Sequence, residues 1–218
     1  MVSAAESLSN SVYFQTNETR TLLLMASALG VKDKYTHGHA QRVSAYARRL
    51  ALRLGLSMED VIQIAMGGMM HDVGKLALSD SIFSNQATSL TEELLWEVHH
   101  HSLIGAAMLK RTQCAKAITD AVLFHHERID GTGYPFGLKG ATIPLSARIV
   151  SIADCFDAIT TDRPYQKRKS VHLAVDTLHE CAGSYLDAEL VPLFIEEIDC
   201  NGVIDGASKD SISGAFPV

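Results

Sequence analysis

Apolar residues along this chain recur at three- and four-residue steps almost throughout, and alternating stretches are hard to find, which predicts helices and few strands. LLLMASALG, residues 22–30, reads as the end of a first helix stopped by Gly30. From His39, the positions Val43, Tyr46, Ala47, Leu50 and Leu54 form one apolar stripe that closes at Gly55. Ser57 is placed to cap the next helix, with Asp60 as the acid of a capping box, and apolar residues carry that helix to HDVGK at 71–75. Thr91 opens another through Leu109, its Glu92 and Glu93 suited to the N-terminal dipole. Cys114–His126, Pro144–Thr160, Val171–Ala182 and Ala188–Ile198 supply four more, so the expected class is an all-α bundle. Between these elements, residues 76–90 read as a polar crossing. Residues 128–143 hold Gly131, Gly133, Gly137 and Gly140, too many glycines for a regular element. A long ordered loop in a compact domain usually has a function. The first seventeen residues and the tail from about residue 200 are small and polar, which predicts a flexible N-terminal segment or linker at 1–17, a domain over 18–199 and a flexible tail at 200–218.

Composition changes this picture little. A chain of 218 residues is long enough to bury a substantial core, and the formal charge of −6 lacks the basic footprint that DNA or an acidic membrane demands. Cys114, Cys155, Cys181 and Cys200 are scattered with no CxxC pair, as in a reduced protein. No apolar run approaches the roughly 18 residues of a membrane span, and the start has no signal-peptide profile. A cytoplasmic protein is the expectation.

The histidines carry the chemistry. There are ten, and three groups stand out: His71-Asp72 at a helix C-terminus, His99-His100-His101 within a helix, and His125-His126 before the glycine-rich loop. A lone helical histidine is ordinarily a surface or satisfied core residue, the reading given to His172 and His179. His71 differs because it follows the apolar run IAMGGMM, and a buried imidazole beside a carboxylate needs something to pair them. Adjacent helical positions point about 100° apart, so His71 and Asp72 suit two neighbouring ions better than one, with the two carboxylate oxygens as a bridge. Imidazole and carboxylate without thiolate favour iron, manganese, nickel or zinc. Two ions together clamp a phosphate and activate a water, which points to phosphoester hydrolysis. Asp154 and Asp157, at i and i+3 on an apolar helix, are either ligands or N-terminal charges slightly out of place.

The stretches YTHGHAQRV (35–43), HDVGK (71–75), HHSLIG (100–105), HHERIDGTGYP (125–135), IPLSARIVSIADCFDAIT (143–160) and RPY (163–165) resemble, in order, the motifs of the HD-GYP family. This family is a bacterial subgroup of the HD metal-dependent phosphohydrolases, and the resemblance covers about residues 20–195. It implies an HD-domain helical bundle with a Gly-rich GYP loop and hydrolysis of cyclic di-GMP to linear pGpG or onward to GMP. By the same resemblance the metal ligands are His39, His71, Asp72, His101, His125, His126 and Asp154. One ion would take His39, His71, Asp72 and Asp154, the other Asp72, His101, His125 and His126. His99 and His100 are left as bystanders. Lys75 would neutralise phosphate charge or protonate the leaving oxygen, and Tyr134, Asp157 and Arg163 match nucleotide-contacting positions. Lys167 joins Arg163, Arg168 and Lys169 in a basic cluster that reads either as a phosphate landing point or as a solvated turn.

Two positions depart from the pattern. Tyr35 stands where some members carry a third-metal glutamate, implying two divalent ions, iron or manganese before nickel or zinc. Gln166 replaces a basic residue common after RPY, implying pGpG as the end product. Three alternatives stay open: a non-catalytic dinucleotide sensor or interaction domain, an enzyme for another cyclic dinucleotide such as cyclic GMP-AMP, and a diiron oxygenase. The resemblance also implies docking of diguanylate cyclases (GGDEF proteins) or other signalling proteins on the GYP loop, and a homodimer is compatible with it.

Overall fold

The computed structural model describes residues 19–32, 34–79, 92–162 and 167–200. Its helices are α1 (residues 19–32), α2 (Lys34–Arg53), α3 (Met58–Met70), α4 (Glu92–Lys110), α5 (Lys116–Phe124), α6 (Leu145–Thr160), α7 (Val171–Cys181) and α8 (Leu190–Cys200). Short 3-10 turns cover Val73–Ala77 and Gly140–Thr142. Among the described residues the only β contact is an isolated bridge between Ala182 and Leu186, so the all-helical expectation holds. The expected loose ends, Thr91 and most of the 76–90 crossing lie outside the described residues, and no described helix is long and apolar enough to cross a membrane.

Local signals explain most boundaries. Gly55 ends the turn after α2 with a φ of 68°, a left-handed conformation that glycine adopts without strain. Ser57 caps α3 by accepting the Asp60 backbone N–H at 3.1 Å, and its own hydroxyl donates to the Asp60 carboxylate at 2.6 Å. Gly30 does not stop α1, which continues through residue 32. Tertiary anchoring overrides the weak helix propensity of glycine there: Leu29 is buried, and Lys32 donates to the carbonyls of Leu76 (3.1 Å) and Leu78 (2.6 Å).

Two apolar clusters flank the histidine-bearing segments. The larger joins α2, α3, α6, α7 and α8 around Tyr46, Phe156 and Phe194, whose rings meet edge to face at centroid distances of 5.1, 6.0 and 5.4 Å. The smaller gathers Leu22, Ala26, Met70, Val73, Leu109, Ile118 and Val122. Met70 and Val73 bracket His71-Asp72 in sequence, so burying those two residues drives the polar pair between them into the interior.

Close backbone approach brings the elements near enough for their side chains to meet. At Gly68 a Cβ would stand 3.1 Å from Ser44 Cα of α2, and at Gly74 it would overlap the His101 carbonyl of α4. Gly74→Ala therefore forces backbone from backbone with no flexible side chain to yield. We expect a loss of about 3 kcal/mol, the upper end for overpacking, read as a lower denaturation midpoint.

Candidate metal centre

Five elements converge. His39 comes from α2, His71 caps the C-terminus of α3 with Asp72 following, His101 lies on α4, His125-His126 follow α5, and Asp154 lies on α6. Their ligand-type atoms form three overlapping groups, each with its atoms within 4.8 Å: His39, His71 and Asp154; His101, His125 and His126; and His71, Asp72 and His125 joining the two.

Hydrogen bonds fix which nitrogen faces inward. Nδ1 of His71 lies 2.7 Å from Gly68 O, Nδ1 of His101 lies 2.5 Å from Val98 O, and Nδ1 of His125 lies 2.9 Å from Val122 O. A carbonyl only accepts, so each Nδ1 carries the proton and each Nε2 presents a lone pair. His39 is oriented instead by Asp157, its Nδ1 donating to Oδ2 at 2.7 Å. The inward-facing atoms then crowd together. His39 Nε2 is 3.2 Å from His71 Nε2 and 3.2 Å from Asp154 Oδ1, and His101 Nε2 is 3.3 Å from His125 Nε2. Asp72 sits between, with Oδ1 3.4 Å from His101 Nε2 and Oδ2 3.4 Å from His71 Nε2. Lone pairs and carboxylates aimed at one another repel unless positive charge lies among them, so the donor set fits divalent cations.

The protonation pattern agrees. Burial disfavours charge on His39, but its bonds to Asp154 and Asp157 together outweigh that and raise its pKa to about 9. Burial, with the Lys75 cation and then His71 adding to it, lowers His101; burial and the neighbouring imidazoles hold His125 well below the usual range, and burial pushes His126 down to about 3. Burial would raise Asp72, yet Lys75 and the histidines, His71 foremost, hold it well below the usual carboxylate range; His39 and His71 do the same for Asp154. Without metal, then, one side of the centre stores a proton and the other is bare.

A pH dependence follows. An ion entering the His39 side must displace a proton held up to about pH 9. Metal affinity there should rise about tenfold per pH unit from 7 to 9 and then level, while the His101 side stays flat over that range. Calorimetric Mn(II) titrations in buffers of different ionisation heat, which count released protons, check this.

The other expected site residues divide. Lys75 donates from Nζ to Asp72 Oδ2 at 2.6 Å and keeps part of its side chain exposed. The Tyr134 ring stacks on His126 at 4.7 Å. Asp157, expected as a substrate contact, is wholly buried here, and its oxygens are taken by Arg42 (2.6 and 3.1 Å) and His39. Lys167 is exposed, and the basic turn is tied back to α6 by Arg168 N–H to Asp162 (2.9 Å) and Lys169 N–H to Ile159 O (2.9 Å). Arg163, Gln166 and the Tyr35 side chain lie outside the described residues.

Sequence reasoning missed two contributors. Arg42 sits one turn after His39, and that i,i+3 spacing could have flagged it as a neighbour. Glu127 is buried and accepts the backbone N–H groups of Phe136 (2.7 Å) and Leu138 (2.9 Å), folding the glycine-rich loop back over the centre. Gly133 permits that path, since a Cβ there would press on the His126 carbonyl at 2.5 Å.

Comparison with known proteins places this architecture. A family model described as "HD domain" matches residues 24–190. The chain is 39% identical over 176 residues to the cyclic di-GMP phosphodiesterase response regulator RpfG of Xanthomonas campestris, covering 80% of this chain and 46% of that protein. It is 38% identical over 177 residues to the cyclic di-GMP phosphodiesterase PA4108 of Pseudomonas aeruginosa, covering 81% and 42%, and 33% identical over 174 residues to 3'3'-cGAMP-specific phosphodiesterase 1 of Vibrio cholerae, covering 79% and 40%. The chain thus spans less than half the length of these relatives. Among solved structures, the Vibrio cholerae cyclic GMP-AMP phosphodiesterase V-cGAP3 shares the fold with a TM-score of 0.67 at 18% identity, covering 88% of this chain and 51% of that one. With a family model spanning most of its length and this helical architecture behind it, the chain belongs to the HD domain family, as its HD-GYP-like motifs implied.

Proposed function

We propose that this domain is a metal-dependent phosphodiesterase that hydrolyses cyclic di-GMP to linear pGpG at a centre holding two divalent ions, iron or manganese. The observation that carries the reading is the inward convergence of the His71, His101 and His125 Nε2 atoms around the Asp72 carboxylate, a donor array that divalent cations would satisfy. Ions bound there supply Lewis-acid neutralisation of a phosphodiester and acidity to a water. His39, His71 and Asp154 would hold one and His101, His125 and His126 the other, with Asp72, whose two oxygens lie 3.4 Å from His71 Nε2 and His101 Nε2, available to both. Lys75 keeps an ammonium beside Asp72 on the open side, where it neutralises phosphate charge and delivers a proton to the departing oxygen. By the motif resemblance alone, Arg163 and Lys167 are assigned to phosphate binding. The names of the relatives support the substrate class.

A second reading, hydrolysis of 3'3'-cGAMP, has its own support in relatives of that name at 33% identity, and base preference separates the two. The deciding experiment is anaerobic turnover of both dinucleotides by iron- or manganese-loaded protein, with products resolved by chromatography. Metal-dependent release of pGpG from cyclic di-GMP, faster than 3'3'-cGAMP cleavage, is the expected result. No cleavage of either by protein with a filled centre would overturn the enzymatic reading in favour of a dinucleotide sensor.

A further inference from the structure

Among the six candidate ligands other than Asp72, His126 is held differently. His71, His101 and His125 are oriented by Nδ1 bonds to carbonyls three residues upstream, and His39 by Asp157. The His126 ring makes no hydrogen bond among the described residues; its neighbours are rings. Tyr134 lies against it at 4.7 Å and 30°, and His99 lies against Tyr134 at 4.5 Å and 27°. His99 and His126 make no ring contact with each other, so they take opposite faces of the phenol ring.

The phenol's position depends on this arrangement. Its backbone is fixed where Tyr134 N–H donates to His126 O at 3.2 Å, at a close approach that leaves no room for a Cβ at Gly133. That leaves the side-chain torsions free unless something covers the outer face. His99, exposed on α4 two residues before His101, is what covers it.

We propose that His99 is a positioning residue: by closing the stack on Tyr134 it holds the His126 imidazole in its ligating orientation, a task given to hydrogen bonds at the other histidines. Packing of this kind replaces the usual outer partner of a metal-binding imidazole. The inference rests on the metal-centre reading above. It requires an aromatic ring at position 99 and nothing of its titration or hydrogen bonding.

Mn(II) titration of metal-free protein, followed by the electron paramagnetic resonance of free Mn(II), tests it with the wild type, His99→Ala and His99→Phe. Alanine is a better helix former than histidine and the site is exposed, so α4 persists, which far-UV circular dichroism verifies. His99→Ala should weaken one of the two binding steps about threefold to tenfold and leave the other unchanged, and His99→Phe should restore it. Wild-type affinity at both steps in His99→Ala, equal weakening of both, or failure of phenylalanine to rescue would overturn the role of His99 while the centre stands. No Mn(II) binding by the wild type would instead overturn the centre itself, and the inference with it.

Discussion

Asp72→Asn should leave a folded protein that has lost its activity. Asp72 is nearly fully buried, ionised, and the one carboxylate with an oxygen toward each histidine group. Asparagine keeps the shape and one acceptor, but its amide N–H₂ turns donors toward a position that needs a lone pair. The centre then binds one ion well at most. Metal-derived stabilisation of phosphoryl charge is worth several kcal/mol, and at about 1.4 kcal/mol per tenfold its loss lowers kcat on the order of a thousandfold. Elemental analysis and turnover on one sample check this. Retention of both full metal content and full activity would remove Asp72 from the bridging role.

Asp157→Ala should act on stability and metal together, although Asp157 touches no candidate ion position. Its fully buried carboxylate receives His39 Nδ1–H on Oδ2 and the Arg42 guanidinium on both oxygens. Removing it strands a partly buried guanidinium and an imidazole N–H, which costs about 3–5 kcal/mol for a broken buried pair. Loss of the outer partner of a ligating histidine lowers metal affinity about 10–100-fold. Asp157→Asn, whose carbonyl can still accept from His39, should recover part of the affinity. An unfolding midpoint and Mn(II) affinity both unchanged in Asp157→Ala would return this residue to the substrate-contact role first expected of it.

Asp157 also shows how far the sequence was legible. The i,i+3 spacing of Asp154 and Asp157 correctly put both on one buried helix face, and both do meet His39, one at each ring nitrogen. Which oxygen faces the ions depends on how α2 lies across α6, a tertiary relation that spacing within one helix cannot encode. The helical class was readable because apolar periodicity is local. So were the His-Asp and His-His pairs, because polar residues ending apolar runs are costly to bury without purpose. Glu127 was unreadable because its partners are backbone N–H groups nine and eleven residues later, reached only once Gly133 lets the chain double back. His99 looked like surplus beside His101 until the loop brought Tyr134 to its face. Gly30 failed as a stop signal because Leu29 and Lys32 are held by distant contacts.

The central claim, that these side chains form a two-ion centre around Asp72, is tested most directly by anomalous diffraction from crystals of the manganese-loaded protein. Two anomalous peaks are expected flanking Asp72, one within bonding reach of His39, His71 and Asp154 and the other of His101, His125 and His126. A single peak away from Asp72, or none among these seven residues in protein shown to carry manganese, would contradict it.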